Sequence, residues 1–492
     1  MLRAASHQET QGRIACLLAV LFAMTLPAGG PQAGRIAEEV DAYVTAYHDL
    51  GLFDGAVLVA RGDSLLYARG FGLADRERGI PNTPRTKFRI GSLTKQFTTV
   101  MTLQLVEEGR LALSDRISKY LPDYRQDIGD RVTIDHLLRH MSGIPSYTSP
   151  SFWRDHAAQE HSKDDVMRRF LSGDLVFPPG STYRYSNSNH VLLALIIEGV
   201  TGESFRTNLE KRITRPLSMD DTGAGFSDPD VQDLACGYIK SLGEYIPEPP
   251  VHSGNTLGTG GMYSTPLDFF AWNRAFEPGV MLSDSMLTRM FTHYHRINRF
   301  YGRGYAWNIY TIRLRDSETL VWLADYNGEF YGNWASITRL LDDEYLIVIM
   351  SNAGRTSVNA DEVVNILYGK PYQVRIPIKD QLALAIREKG LEGALAEYQA
   401  SKAADSTYVR RSERGINELG YELLREGRVE EALAILQLNV DDHPRSSNVW
   451  DSYAEALAAS GDTSAAIANY ERSLRMNPEN HNARIMLERL RR

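Results

Sequence analysis

Apolar residues recur at three- and four-residue spacing from Phe97 through Val100, Met101 and Leu105, until Gly109 ends the run. This period predicts a helix with one buried stripe. Earlier, Ile36, Val40, Val44 and Tyr47 share one side of a predicted amphipathic helix over residues 35–50. A different rhythm follows. Residues 55–60 and 64–68 are β-type runs joined across Gly62-Asp63, a strong hairpin turn pair. The partner runs come much later, at 305–312, 319–324, 335–340 and 345–350, separated by turn residues that include Asp342-Asp343. Helical patterning and loops fill the long stretch between the two groups. An antiparallel sheet built from both ends of a domain, with a helical insertion between them, is an α+β arrangement with a cleft between its parts.

From about residue 371 the chain turns into charged, Ala/Leu-rich helices. Gly427, Ala432 and Pro444 recur 34 residues later as Gly461, Ala466 and Pro478, and Leu419, Leu423 and Leu436 recur as Tyr453, Leu457 and Tyr470. This periodicity resembles two tetratricopeptide repeats, with small residues where paired helices cross and a proline ending each unit. Two repeats alone bury too little surface to be stable. Residues 381–389 and 391–403, with Gly390 at their turn, resemble a degenerate further unit, and residues 481–492 a capping helix. The expected organisation is a signal peptide at 1–33, a catalytic-type domain at 34–370, connecting helices at 371–412, and the two repeats with their cap at 413–492.

The signal peptide is read from Arg3 and Arg13, the apolar run 14–26, and the closing Pro27, Ala28, Gly29 and Gly30, with Ala33 a little later. The run is short for a membrane span, which disfavours an uncleaved anchor and predicts a periplasmic or secreted protein with no stable span after cleavage. Cys16 lies inside this run, so the mature chain keeps only Cys236 and forms no internal disulfide. The 492 residues leave room for two or three domains. A net charge of -8 and the lack of a basic cluster give no reason to expect nucleic-acid binding.

The candidate chemistry sits in Phe88-Arg89-Ile90-Gly91-Ser92-Leu93-Thr94-Lys95-Gln96-Phe97. Ser92 and Lys95, three residues apart at a helix start, share one face. There the unpaired N–H groups and the helix dipole stabilise negative charge on a serine oxygen or a nearby oxyanion. To act as a base, a lysine must fall from ~10.4 to ~7, roughly 4–5 kcal/mol of differential destabilisation of its charged form. The bland alternative is a capping serine beside a solvated lysine. A bare S-x-x-K occurs about once by chance in a chain this long, so further motifs must decide.

The insertion carries three such strings. Thr133-Ile134-Asp135-His136-Leu137-Leu138-Arg139-His140-Met141-Ser142-Gly143 ends a helix in a turn. His136 and His140 have the spacing of a zinc pair, but no glutamate follows His136 as H-E-x-x-H requires, so both read as structural and no metal is expected. Tyr183-Arg184-Tyr185-Ser186-Asn187-Ser188-Asn189 is a polar loop running into an apolar helix at 191–200. Gly258-Thr259-Gly260-Gly261-Met262-Tyr263-Ser264-Thr265 is a Gly-rich turn. It lacks the G-x-x-x-x-G-K-[ST] of a phosphate loop and reads as a tight turn lining a cleft.

Taken together, residues 35–370 resemble the serine β-lactamase and penicillin-binding protein superfamily, nearest its class C β-lactamase, D-alanyl-D-alanine carboxypeptidase and esterase branch. The resemblance rests on Ser92-Leu93-Thr94-Lys95, on Tyr185-Ser186-Asn187 and on the ordered auxiliary strings. It implies a mostly antiparallel sheet flanked by helices, a helical subdomain, and a site at their junction that needs no cofactor. Ser92 would be the nucleophile of an acyl-enzyme. Lys95 and Tyr185 would relay its proton, one of them as base, and Asn187 would position the substrate amide or the lysine. The family's further motif, Lys or His, then Thr, Ser or Gly, then Gly, corresponds by register with Gly332 and the run 335–340 to Tyr326-Asn327-Gly328. The N–H of Glu329 would join that of Ser92 as an oxyanion hole. Tyr326 departs from the pattern, which implies an ester, amide or peptide substrate less anionic than a β-lactam. The alternative is a catalytically weak or inactive ligand- or peptidoglycan-binding protein working through its repeats, which as a class take extended peptides or helices from partner proteins.

Overall fold

The computed structural model describes residues 31–404 and 413–492. The expected signal segment lies outside the described residues except for Pro31, Gln32 and Ala33, which begin the helix Pro31–Asp49. An eight-stranded sheet runs in the spatial order His295–Asn298, Tyr301–Arg303, Asn308–Arg313, Leu320–Phe330, Asn333–Leu340, Tyr345–Ser351, Gly55–Arg61, Ser64–Phe71. Every neighbouring pair is antiparallel. The sheet is therefore closed by strands from both ends of the domain, as the run pattern predicts.

Two adjacent strands near one edge, Gly55–Arg61 and Tyr345–Ser351, are buried on both faces along almost their whole length. Their alternation feeds two cores. Ala56, Leu58, Val348 and Met350 face a large cluster shared with Phe97, Val100, Met101, Val191 and Ile196 of the insertion. Val57, Val59, Ile347 and Ile349 face a second cluster, covered by Val40 and Tyr47 of the first helix and by Val363 and Ile366 of Ala360–Leu367. The sheet is thus sandwiched between a thin helical layer and the insertion.

Three local expectations change. The run 305–312 begins as a strand only at Asn308, because Gly304 N–H donates to Trp307 O at 2.8 Å and Ala306 takes φ 54°, making a turn of what reads as apolar strand. The run 319–324 extends to Phe330, since Asn333–Leu340 pairs with it from Leu323 through Phe330. The helix carrying Lys95, Thr94–Glu107, is buried on all sides rather than along one stripe. Several of its polar positions are absorbed internally: Thr98 donates to Gly258 O at 2.7 Å, Thr102 to Thr98 O at 2.8 Å, and Gln96 Oε1 accepts from Trp272 Nε1 at 3.2 Å. A threonine face that looks solvent-facing in the sequence is the axis of the domain.

The C-terminal helices follow the repeat register. Ile378–Ala404 is broken at Gly390 (φ 72°, ψ 179°), then come Glu413–Arg425, Val429–Asp442, Ser447–Ser460, Thr463–Met476 and His481–Leu490. Gly427 and Gly461 supply the left-handed turns (φ 74° and 88°), and Ala432 and Ala466 are fully buried where helices cross. The hairpin Tyr238–Ser241/Glu244–Pro247 bridges to them. Its tip residue Leu242 packs against the cluster of Ile378, Leu382, Leu419 and Leu423, and Ser241 donates to Glu426 Oε1 at 3.3 Å. Among the described residues, no helix is long and apolar enough to cross a membrane.

Candidate active site

A short strand delivers the nucleophile candidate. Phe88–Arg89 pairs with Met262–Ser264, and Ile90 N–H continues the ladder to Met262 O at 3.1 Å. Gly91 then turns with φ 48°, and Ser92 sits in the 3₁₀ turn Gly91–Leu93 that opens the helix Thr94–Glu107. Ser92 is half-buried. Its Oγ accepts from Lys95 Nζ at 2.9 Å and lies 2.8 Å from the Tyr185 hydroxyl. The three side chains that the sequence spreads over 93 positions share one hydrogen-bonded cluster.

Lys95 is completely buried, and among the described residues no carboxylate pairs with it. Its second partner is a neutral acceptor, Thr259 O at 2.8 Å, in the Gly-rich turn. Burial pushes its ammonium well below the usual lysine range. Tyr185 moves the other way. Although the residue is 38% exposed, its hydroxyl end is packed beside Ser92 and Tyr326, and that enclosure pushes the phenol up to about 12. A buried amine next to a protonated phenol can take a proton from one side of Ser92 Oγ and return one from the other.

Both flanks of Tyr185 are pinned by one residue. His140, in a left-handed conformation (φ 55°), accepts from Arg184 N–H at its carbonyl (2.9 Å) and from Ser186 N–H at Nδ1 (3.2 Å). Its ring lies 4.7 Å from the Tyr185 ring. Burial, with help from the Lys95 and Arg303 charges, lowers its pKa to about 3, so the imidazole stays neutral. His136 closes a capping box with Thr133. Among the described residues, no cluster of three or more His, Cys, Asp or Glu is placed to hold a metal.

Asn187 begins the helix Asn187–Thr201. Its amide donates to Thr148 Oγ1 at 2.8 Å and accepts from Thr259 Oγ1 at 3.0 Å. It thereby fixes the residue whose carbonyl holds Lys95. The roles of Thr259 and Thr148 escape a reading of the sequence; Thr259 holds Lys95 through its carbonyl, and both threonines meet Asn187 only through long-range packing.

The strand Leu320–Phe330 supplies the opposite wall. Its pairing with Asn308–Arg313 ends at Asp325, so beyond that point one edge of the strand is free of a ladder partner. Gly328 packs directly on the nucleophile turn: a Cβ there would lie 2.7 Å from Ser92 N, and a Cβ at Gly91 would lie 2.7 Å from Glu329 N. The amides of Ser92 and Glu329 are brought side by side by two glycines. Asn327 and Glu329 side chains are exposed. Tyr326 is 7% exposed, and its phenol interacts with that of Tyr185. It is therefore packed against Tyr185. A cavity of about 700 Å³ between Lys240, Arg355, Lys379 and Glu418 is not lined by Ser92.

This antiparallel sheet with an inserted helical part, and a serine–lysine–tyrosine cluster at their junction, defines a class of protein with known members. The Beta-lactamase family model matches residues 40–367, and a tetratricopeptide repeat model matches residues 447–490. The chain belongs to the beta-lactamase family. A penicillin-binding protein of Bacillus subtilis (strain 168) is 27% identical over 343 residues, covering 65% of this chain and 74% of its own. The teichoic acid D-alanine hydrolase of Staphylococcus aureus is 27% identical over 342 residues, covering 69% of this chain and 80% of its own. Among solved structures, the penicillin binding protein from Bacillus halodurans superposes with TM-score 0.57 at 25% identity, over 66% of this chain and 97% of that one.

Proposed function

We propose that the protein is an exported serine hydrolase that forms an acyl-enzyme on Ser92. The observation that carries the reading is the pair of contacts to Ser92 Oγ, from a fully buried Lys95 and from Tyr185. Lys95 is the resting base, because burial favours its neutral amine while the phenol of Tyr185 keeps its proton to about 12. Ser92 Oγ bonds to the substrate carbonyl carbon as its proton passes to Lys95 Nζ. The carbonyl oxygen becomes an oxyanion facing the amides of Ser92 and Glu329. When the bond to the leaving group breaks, Tyr185 supplies that group's proton and is refilled from Lys95. Water then releases the acyl group by the reverse relay.

The substrate is a small ester, amide or peptide. Tyr326, buried against Tyr185 where the family pattern has a cation, supports a substrate without a carboxylate beside the scissile bond. The hydrolase named among the relatives supports ester or amide chemistry on D-amino-acyl groups. We assign residues 34–370 to the hydrolase, 371–412 to connecting helices and 413–492 to the repeats, which would dock a protein or peptide partner. The N-terminal 33 residues would direct export to the periplasm or beyond.

A fluorophosphonate probe should label the wild type and leave Ser92→Ala unlabelled; equal labelling of both removes Ser92 as nucleophile. A fluorescent penicillin then separates the branches. Stable labelling indicates a penicillin-binding site, rapid release a β-lactamase, and none an esterase or peptidase.

A further inference from the structure

Glu248 belongs to none of the motifs above. It follows the strand Glu244–Pro247, its side chain is 5% exposed, and its carboxylate collects three donors. Arg89 Nη1 donates to Oε1, Gly332 N–H to Oε2 at 2.9 Å, and Asn333 Nδ2 reaches both oxygens at 3.2 Å. These donors come from two separate pieces of backbone. Arg89 lies three residues before Ser92, on the strand that delivers it; Gly332 lies three residues past Glu329, in the turn that ends its strand. One buried carboxylate therefore ties together the two segments that carry the Ser92 and Glu329 amides, through the Arg89 and Asn333 side chains and the Gly332 N–H.

The surroundings leave the grip no slack. A Cβ at Gly237 would lie 2.3 Å from Glu248 Cδ and 2.4 Å from Asn333 Nδ2, and a Cβ at Gly332 would lie 2.3 Å from Tyr238 N. Arg89 is backed by the Phe226 ring, 4.7 Å from its Cζ. Since a buried ion pair contributes little net stability over an apolar substitute, its placement astride these two segments calls for a geometric role.

We propose that Glu248 is a positioning residue for the reaction at Ser92, holding the amides of Ser92 and Glu329 at the separation an oxyanion needs. The proposal rests on the acyl-enzyme reading above. Donor geometry at an oxyanion is steep in its effect: misplacement by an ångström costs ~10²-fold in rate, and loss of a donor ~10²–10³-fold.

The test is Glu248→Gln, which keeps the shape and removes the charge that binds Arg89. Turnover of p-nitrophenyl butyrate and of its thionoester is measured per fluorophosphonate-titrated active site. The expected result is kcat on the ester reduced ~10–100-fold with KM within about two-fold. The ester-to-thionoester rate ratio should fall with it, because a thiocarbonyl gains little from the amides and so loses little. An unchanged ratio, whatever the kcat, overturns the proposal, since a merely supportive residue alters both substrates alike. If Glu248→Gln does not fold, Asn333→Ala removes one of the two donors on the Gly332 side and keeps the pair with Arg89; it should lower the same ratio by a smaller factor, and an unchanged ratio there overturns the proposal. Ser92→Ala is assayed in parallel. Residual turnover equal to wild type, or a wild type that neither turns over the ester nor takes the fluorophosphonate, removes the acyl-enzyme reading and the proposal with it; with Ser92→Ala inactive, the ratio alone decides the role of Glu248.

Discussion

A Cβ at Gly328 would lie 1.8 Å from the carbonyl oxygen of Ile90, so the strand Leu320–Phe330 and the turn before Ser92 touch backbone to backbone. Only glycine allows that approach. Gly328→Ala should push the strand away from Ser92 and cost ~10²-fold or more in kcat, by separating the two candidate oxyanion donors. Overpacking should also lower stability by ~1–3 kcal/mol. Steady-state kinetics with urea denaturation checks both; full activity would exclude the strand from the site.

Lys95 is buried without a counter-ion among the described residues, an arrangement that serves chemistry against stability. Lys95→Met should abolish turnover and raise stability by ~1–2 kcal/mol. The folded lysine titrates below the unfolded one, so between the two values the unfolded state holds more protons and wild-type stability rises with pH. The advantage of Lys95→Met should therefore be greatest at low pH and shrink as pH approaches ~10.4. Thermal unfolding midpoints across pH would show it; an advantage that grows with pH contradicts the assignment.

Tyr185→Phe keeps the ring against His140 and removes the hydroxyl 2.8 Å from Ser92. The expected loss is ~10²–10⁴-fold in kcat. In the wild type the rate should rise with pH as Lys95 sheds its proton, with a midpoint well below ~10.4, then hold level until Tyr185 ionises near about 12. The acid limb should survive in Tyr185→Phe. Its disappearance would make the tyrosine the base.

His140 stays neutral in the fold to about 3, whereas an unfolded histidine binds its proton below ~6.5. The unfolded state thus takes up more protons between these values, and stability should fall as pH drops through the window, by up to ~1.4 kcal/mol per unit from this group. Asn at this position can accept from Ser186 N–H and tolerate the left-handed backbone. His140→Asn should flatten the acid slope, read as urea midpoints at pH 7 and 4.5; parallel slopes would place the titration elsewhere.

The local parts of the site are legible in the sequence. Ser92 and Lys95 share a helix face by spacing alone, and the glycine turn that reads as cleft-lining brings Thr259 to Lys95. Tyr185 comes through the family resemblance, and the structure places its hydroxyl on Ser92. Local pattern ends the strand from Leu320 at Ala324 because Asp325, Asn327 and Gly328 interrupt its apolar run; pairing with Asn333–Leu340, invisible to a local window, carries it on. Burial of the Lys95 helix on all sides is hidden because threonine and glutamine read as a wet face, and their hydrogen-bond partners lie up to 210 residues away.

Periodicity and short-range spacing, which act between residues a turn or a strand step apart, were enough for the α+β class, the repeat register and the serine–lysine pair. Tertiary structure alone decided that Lys95 is stripped of water, that His140 pins Tyr185 from both flanks, and that Glu248 joins the Arg89 and Gly332 segments. Desolvation and backbone contact depend on which distant segments pack together, and no stretch of chain carries that information by itself.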